Sequence, residues 1–319
     1  MSRFVVNRHR RSDNAASLNL HGASPVNLRV FLHVLLLTLV VLVAPARAED
    51  RVLYEKPSLF GTIVVTEDES GLRALRFSRN GPRQSVVKPG DPDYLELPYA
   101  RTALVGLALA DEPRRALIIG LGGGTLPMIL RKHYPEAAID VVDIDPQVVD
   151  AAQKFFGFRE DASLHVHIAD GRKFIEQVQQ PYDVIILDAY GSDSVPLHLT
   201  TQEFLRAVRG AIKPGGVVIS NIWAPQFNPI YDSMVRTYQE TFEETYTLDA
   251  LGSGNVIVLA LPRPQSITAG DLAQRAHQIS VSRGFRNDLG DPTQFRLLHA
   301  QQKNPRVTVL RDADVKLSR

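Results

Sequence analysis

From Arg115 onward, short apolar runs rich in β-branched residues alternate with amphipathic stretches of helical length. The runs are Ala116-Leu-Ile-Ile-Gly, Ala138-Ile-Asp-Val-Val-Asp, Leu164-His-Val-His-Ile-Ala-Asp, Tyr182-Asp-Val-Ile-Ile-Leu-Asp, Gly216-Val-Val-Ile-Ser and Val256-Ile-Val-Leu-Ala-Leu. Such alternation marks βαβ units. Runs without a polar face imply strands buried on both sides, hence a parallel sheet with helices on each face. The pattern predicts a doubly wound, Rossmann-like α/β domain over residues 93–263.

Ahead of it, Gly61-Thr-Ile-Val-Val, Leu72-Arg-Ala-Leu-Arg-Phe and Gln84-Ser-Val-Val cluster β-formers between breaks at Glu67–Gly71 and Arg79–Pro82, which predicts a small antiparallel sheet within residues 49–92. A helical stretch from about Tyr94 to Ala110 ends before Asp111-Glu112-Pro113. Residues 264–319 carry a helical pattern around Leu272–Ser282, then polar sequence punctuated by Gly and Asn, and the pattern assigns them no role.

The first 48 residues follow another logic. An Arg8-His9-Arg10-Arg11 cluster precedes an apolar run from Val30 to Ala44 and then Pro45-Ala46-Arg47-Ala48. That layout predicts an exported protein cleaved after Ala48; the alternatives are an uncleaved N-terminal anchor and an overextended start. Leader or anchor would put the folded domain in the periplasm, outside the cell or facing outward, and a misassigned start would leave it cytoplasmic. Lys and Arg number 36 against 35 Asp and Glu, so charge gives no reason to propose nucleic acid. With no cysteine there are no disulfides, thiolate metal sites or cysteine nucleophiles. His165 and His167 alternate along a strand without further ligands at metal spacing, so no metal site is expected.

Ligands of doubly wound sheets bind beyond the carboxyl ends of the strands, so the polar residues there carry the chemistry. The first strand runs into Gly120-Leu-Gly122-Gly123-Gly124, a strand-to-helix turn whose glycines let backbone approach a ligand. The second ends at Asp143, placed to accept both ribose hydroxyls; Asp145 before Pro146 fits a helix cap and leaves Asp143 free. The third ends in Asp170-Gly171, where the acid either accepts from an adenine amino group, with Gly171 leaving room for the ring, or caps the helix near Arg172. The fourth ends in Asp188, followed by Tyr190 and Asp193, which line an acceptor or belong to a plain loop. Trp223, after the fifth strand, covers an acceptor or simply packs. Four polar strand ends meeting in one crevice predict an adenosine-containing ligand.

In the order Gly120-x-Gly-Gly-Gly, Val142-Asp143-Ile-Asp145, Asp170-Gly171, Tyr182-Asp183-Val-Ile-Ile-Leu-Asp188 and Pro196-Leu-x-Leu-Thr-x-x-Glu203-Phe204, the sequence resembles the spermidine synthase (polyamine aminopropyltransferase) family over roughly Arg51 to Pro262. The resemblance implies decarboxylated S-adenosylmethionine as donor, a small-molecule polyamine as acceptor, Asp143 on the ribose, Asp170 on the adenine and Asp188 as the catalytic acid–base group. Gln84 and Tyr99 match further family positions, on the donor and acceptor sides. A homodimer would fit the family too.

Three positions depart from the pattern. Gly123 stands where synthases carry an Asp that meets the donor's amino group. Tyr99-Ala100-Arg101 replaces Tyr-His-Glu, exchanging an acid for a cation. The loop from Asp188 to Pro196 is longer by a residue or two. Three readings follow: an aminopropyltransferase, an S-adenosylmethionine-dependent methyltransferase of the same fold whose donor carboxylate meets Arg101 or the turn's N–H groups, and a non-catalytic nucleoside- or polyamine-binding protein.

Overall fold

The computed structural model describes residues 50–59, 61–191, 194–298 and 303–315. Segment 1–48, on which the expectation of a leader or anchor falls, and Asp193 lie outside the described residues.

Two sheets organise the chain. The smaller is antiparallel throughout, in the order β1 (Arg51–Ser58), β2 (Gly61–Glu67), β3 (Arg73–Arg76) and β4 (Ser85–Val87). The apolar pattern does not announce β1. It is a largely exposed edge strand carrying Lys56 and Pro57, residues that blunt a sheet edge, so it shows no buried periodicity. Tyr54 of this strand packs against Phe155 with ring centroids 5.3 Å apart and the rings tilted at 48°. That contact docks the small sheet on the helix that ends at Phe155.

The larger sheet holds β5 (Arg115–Ile119), β6 (Ala138–Asp143), β7 (Leu164–Ile168), β8 (Tyr182–Leu187), β9 (Ile212–Trp223), β10 (Glu244–Ala250), β11 (Asn255–Leu261) and β12 (Phe295–Leu298), in the spatial order β12-β10-β11-β9-β8-β5-β6-β7. Strands β5 to β9 pair in parallel, as expected from their two-sided burial. Leu117 and Ile119 point into one core while Ile118 points into the other. The remainder corrects the expectation of an all-parallel sheet: β11 is antiparallel to β9, and both β10 and β12 pair antiparallel. Only Leu251–Gly254 separates β10 from β11, too short for a crossover helix, so the two form a hairpin. Strand order reverses between β5 and β8, and their carboxyl ends open the crevice where such sheets bind ligands.

Helices cover both faces. The predicted Tyr94–Ala110 helix is shorter, an α-helix α1 (Pro98–Val105) continued by a 3₁₀ turn over Gly106–Leu109. Pro98 occupies the first turn and holds Leu97 extended, which sets the start. Then come α2 (Thr125–His133), α3 (Pro146–Phe155), α4 (Gly171–Ile175), α5 (Gln202–Ala211) and α6 (Tyr231–Thr241). As its sequence predicts, Asp145 caps α3, accepting from Gln147 N–H at 2.9 Å with Pro146 in the first turn.

Beyond residue 263 the chain completes this architecture. α7 (Ala269–Arg283) opens with a Thr268/Asp271 capping box, and β12 extends the sheet past β10. The end of the chain then returns to the ligand side of the fold. Gln202 N–H donates to Leu310 O at 2.8 Å, and the Arg172 guanidinium grips both Asp312 carboxylate oxygens at 2.7 and 2.6 Å. No helix among the described residues is long and apolar enough to cross a membrane.

Candidate active site

A cavity of about 210 Å³ opens at the carboxyl ends of the parallel strands, beneath the turn between β3 and β4. Each strand end delivers the residue that its sequence promised. Gly120 leaves β5 at φ +103°, and a Cβ there would run into the carbonyl of Asp188, so the turn requires glycine. Gly122 also lines the cavity, against Ser85. Gly124, expected beside the ligand, does not line it: it is the N-cap of α2 and packs on the Phe158 ring, a helix-geometry role.

Asp143 is held rigidly. Its Oδ2 accepts from Leu121 N–H at 2.8 Å and its Oδ1 from Asp145 N–H at 2.9 Å, and the Gly122 N–H is also directed at the carboxylate. Burial pushes its carboxyl up to about 6, against the opposing pull of those N–H groups. Asp170 takes the cap reading and also reaches the cavity. Oδ1 caps α4 through Lys173 N–H at 2.9 Å, while Oδ2 accepts from His198 Nε2 at 3.0 Å where both residues line the cavity. Gly171 lines the wall as well, but its missing side chain answers packing: a Cβ would meet Ile119 Cγ2 at 2.5 Å.

Asp188 sits at the centre of the far wall. Its backbone N–H donates to Ile119 O at 2.8 Å, its Oδ2 accepts from the Tyr99 hydroxyl at 3.1 Å, and its Oδ1 accepts from Asn221 Nδ2 at 2.8 Å. Burial raises this carboxyl to about 6 despite both donors. Tyr190 lies edge-on to Trp223, centroids 5.7 Å apart at 85°, and both rings line the cavity beside Asp188. Burial, with the neighbouring Asp188 charge, lifts the Tyr190 phenol well above its ordinary value. Asp193, the other expected acceptor residue, is among those not described. Gln84 and Tyr99 line the cavity as their positions predict.

The structure relocates two of the departures. Gly123 is off the lining, and a side chain there would strike the Phe156 ring at 2.6 Å and Ser85 Oγ at 2.8 Å, so the position where synthases hold an acid is filled by neighbours. Arg101 does not line the cavity either. Two residues beyond Tyr99 it is turned about 200° around the helix. The cation that does reach the cavity is Arg83, the one Lys or Arg in the lining among the described residues. It escaped the sequence reading together with His198, Asn221 and Asn255. Asn221 had a signal, since it interrupts an apolar run at the ligand end of β9, whereas Asn255 only opens the apolar run of β11. Among the described residues no cluster of three His, Cys, Asp or Glu could hold a metal ion.

Comparison with known proteins agrees with this geometry. Residues 100–247 match the spermine/spermidine synthase domain model. The polyamine aminopropyltransferase of Vibrio vulnificus is 35% identical over 230 residues, spanning 69% of this chain and 76% of that protein. The human eEF1A lysine and N-terminal methyltransferase is 30% identical over 218 residues, spanning 62% of this chain and 30% of that much longer protein. A spermidine synthase solved in complex with the transition-state analogue AdoDATO superposes with a TM-score of 0.59 at 25% identity, over 75% of this chain and 80% of its own. Fold, strand-end acids and sequence together make the chain a transferase that belongs to the spermine/spermidine synthase family.

Proposed function

We propose that the protein transfers an aminopropyl group from decarboxylated S-adenosylmethionine to a polyamine. The observation that carries this reading is the placement of Asp188, doubly hydrogen-bonded by Tyr99 and Asn221, in the same cavity as the glycine turn and Asp143. An amine acceptor is an ammonium ion near neutral pH and cannot attack until deprotonated. Asp188 takes that proton. The nitrogen lone pair then attacks the carbon beside the sulfonium, the C–S bond breaks, and its electron pair goes to sulfur, leaving a neutral thioether. A carboxylate pushed up to about 6 is ionised at neutral pH yet basic enough to share the proton during the step. Asp143 accepts from the ribose hydroxyls, Gly120, Gly122 and Gln84 frame the donor, and Asp170 and Gly171 border the adenine. Tyr190 and Tyr99 line the acceptor side. Holding two reactants in line supplies several kcal/mol of barrier reduction without further groups.

A second reading, methyl transfer from intact S-adenosylmethionine to an amine, rests on the closed Gly123 position and on Arg83. The first removes an acid that would meet the donor's amino group, and the second offers a cation to a donor carboxylate. Calorimetric titration with S-adenosylmethionine, its decarboxylated form and methylthioadenosine separates the two, with Asp143→Ala as control. Preferential binding of the decarboxylated donor, lost in the control, supports aminopropyl transfer. Preference for the intact donor moves the assignment to methyl transfer, and no binding of any of them sinks both. Export would place this chemistry outside the cytoplasm, and a mature chain beginning at Glu49 in mass spectrometry is the outcome that supports it.

A further inference from the structure

Behind Asp188 runs a short line of carboxamides. Asn221, near the end of β9, donates its Nδ2 to Asp188 Oδ1 at 2.8 Å, and its own Oδ1 accepts from Asn255 Nδ2 at 2.9 Å. The two strands pair antiparallel with Asn255 opposite Trp223 and Ile257 opposite Asn221, so the two asparagines are diagonal neighbours on one face. Both line the cavity, and they are only 5% and 9% exposed.

A carboxamide has a donor end and an acceptor end of nearly equal shape, so packing alone does not choose which end of Asn221 faces Asp188. The ionised carboxylate, an acceptor only, favours the nitrogen end, and Asn255 reinforces that choice. By donating to Asn221 Oδ1 it occupies the acceptor end, and the amide nitrogen is left facing the carboxylate. The Asn255 backbone is held in place, because its N–H donates to Ser253 Oγ at 3.2 Å and Ala224 N–H ties the hairpin to Gly254 O at 2.8 Å. Nothing in the acceptor's chemistry requires two buried asparagines in series on neighbouring strands, but a carboxylate that must keep one rotamer does.

We propose that Asn221 and Asn255 are positioning residues, Asn255 acting through Asn221, that hold Asp188 in one rotamer and keep it ionised while leaving an outward lone pair for an incoming amine. This rests on the assignment of Asp188 as the proton acceptor. The other titratable groups facing that carboxylate are Tyr99 from α1 and Tyr190 from its own loop, both phenols raised well above their ordinary values by burial first and by Asp188 second. Neither titrates in the range where Asp188 does. β5 presents only the Gly120 backbone there.

The test reads Asp188 directly, by ¹³Cγ NMR titration of aspartate-labelled full-length protein, with its resonance assigned through Asp188→Asn. Asn221→Ala raises the Asp188 midpoint by about one pH unit, the loss of one charge-assisted hydrogen bond. Asn255→Ala raises it by part of that amount, and the double variant raises it no further than Asn221→Ala alone, because the second asparagine acts only through the first. Should Asn255→Ala not fold, the nearly isosteric Asn255→Leu carries the same test. An unmoved midpoint in a folded Asn255 variant, or fully additive shifts, overturns the relay. The titration needs no turnover, so these outcomes remain readable even if no donor is ever consumed. Where turnover is measured, Asn255→Ala lowers kcat/KM about tenfold with donor affinity unchanged, and a parallel loss of donor affinity would instead indicate general collapse of the site.

Discussion

Tyr99 and Asp188 lie 89 residues apart in the chain and meet at 3.1 Å, the phenol donating to the carboxylate from α1 across to the end of β8. Donation to the ionised form holds the Asp188 midpoint below where burial alone would set it. Tyr99→Phe therefore moves it upward from about 6, and the acid limb of the pH profile of kcat/KM follows by about one unit. Profiles of the two proteins should differ most at pH 6 and run parallel above pH 8, where any constant offset reports the Tyr99 contact with the acceptor. A limb that stays in place would mean that Asp188 is not the group the profile reports.

Asp188→Asn separates function from stability. Activity should fall by about 10²- to 10⁴-fold, the range for a lost general base. Stability should move the other way. The folded midpoint lies above the unfolded one, so the ionised carboxyl destabilises the fold above about 6 and costs nothing below the ordinary aspartate value near 3.8. The variant should be more stable than the parent at pH 7.5, by up to about 3 kcal/mol, with the gap closing toward pH 4. Urea midpoints at the two pH values check this, and equal midpoints at pH 7.5 would show that the site does not strain the carboxylate.

Much of this arrangement is legible from the chain. Leu117, Ile118 and Ile119 are apolar in succession because they serve two cores, and that alone gives a helix-covered parallel sheet with its ligand end at Gly120, Asp143, Asp170 and Asp188. Other elements escape for physical reasons. β10 reads Glu-Thr-Tyr-Thr-Leu-Asp-Ala, with threonines buried on a sheet flank where an apolar criterion finds little. β12 owes its existence to pairing with β10, not to its own four residues. Asn221 and Asn255 meet only because of the β9–β11 register, a long-range fact. Arg83 replaces Arg101 as the cavity's cation because helical rotation turns Arg101 away from the face that Tyr99 presents.

Donor choice should respond to Arg83. Arg83, paired with Glu96 at 3.5 Å, borders the same small cavity as the donor, so its charge acts on a bound ligand with only partial screening. Arg83→Glu should weaken binding of the carboxylate-bearing donor and tighten that of the decarboxylated one, changing the ratio of their Kd values about tenfold or more. Gly123→Asp, by contrast, should not install the family's amino contact. Its side chain meets Phe156 and Ser85, so the expected result is a lower Tm and weaker binding of both donors. Calorimetry on the two variants decides; an unchanged ratio in Arg83→Glu would place that guanidinium away from the donor's end.

The end of the chain should matter to the adenosine side of the cavity. Arg172 follows Asp170-Gly171 directly and holds Asp312 with both arms of its guanidinium, while Asp312 N–H donates to Glu203 Oε2 at 3.0 Å. The side chains retain 19% and 33% of their exposure, so solvent screens the pair and Asp312→Asn should cost about 1 kcal/mol. Arg172 holds the Asp312 carboxyl below its usual range, so this contribution is present above the unfolded carboxylate midpoint and is lost as pH falls through the depressed folded one. Near neutrality the variant should bind methylthioadenosine a few-fold more weakly, about 1 kcal/mol of looser α4 packing read at the ligand. Binding that stays equal to the parent's while Tm falls would confine the strap to stability and separate it from the ligand wall.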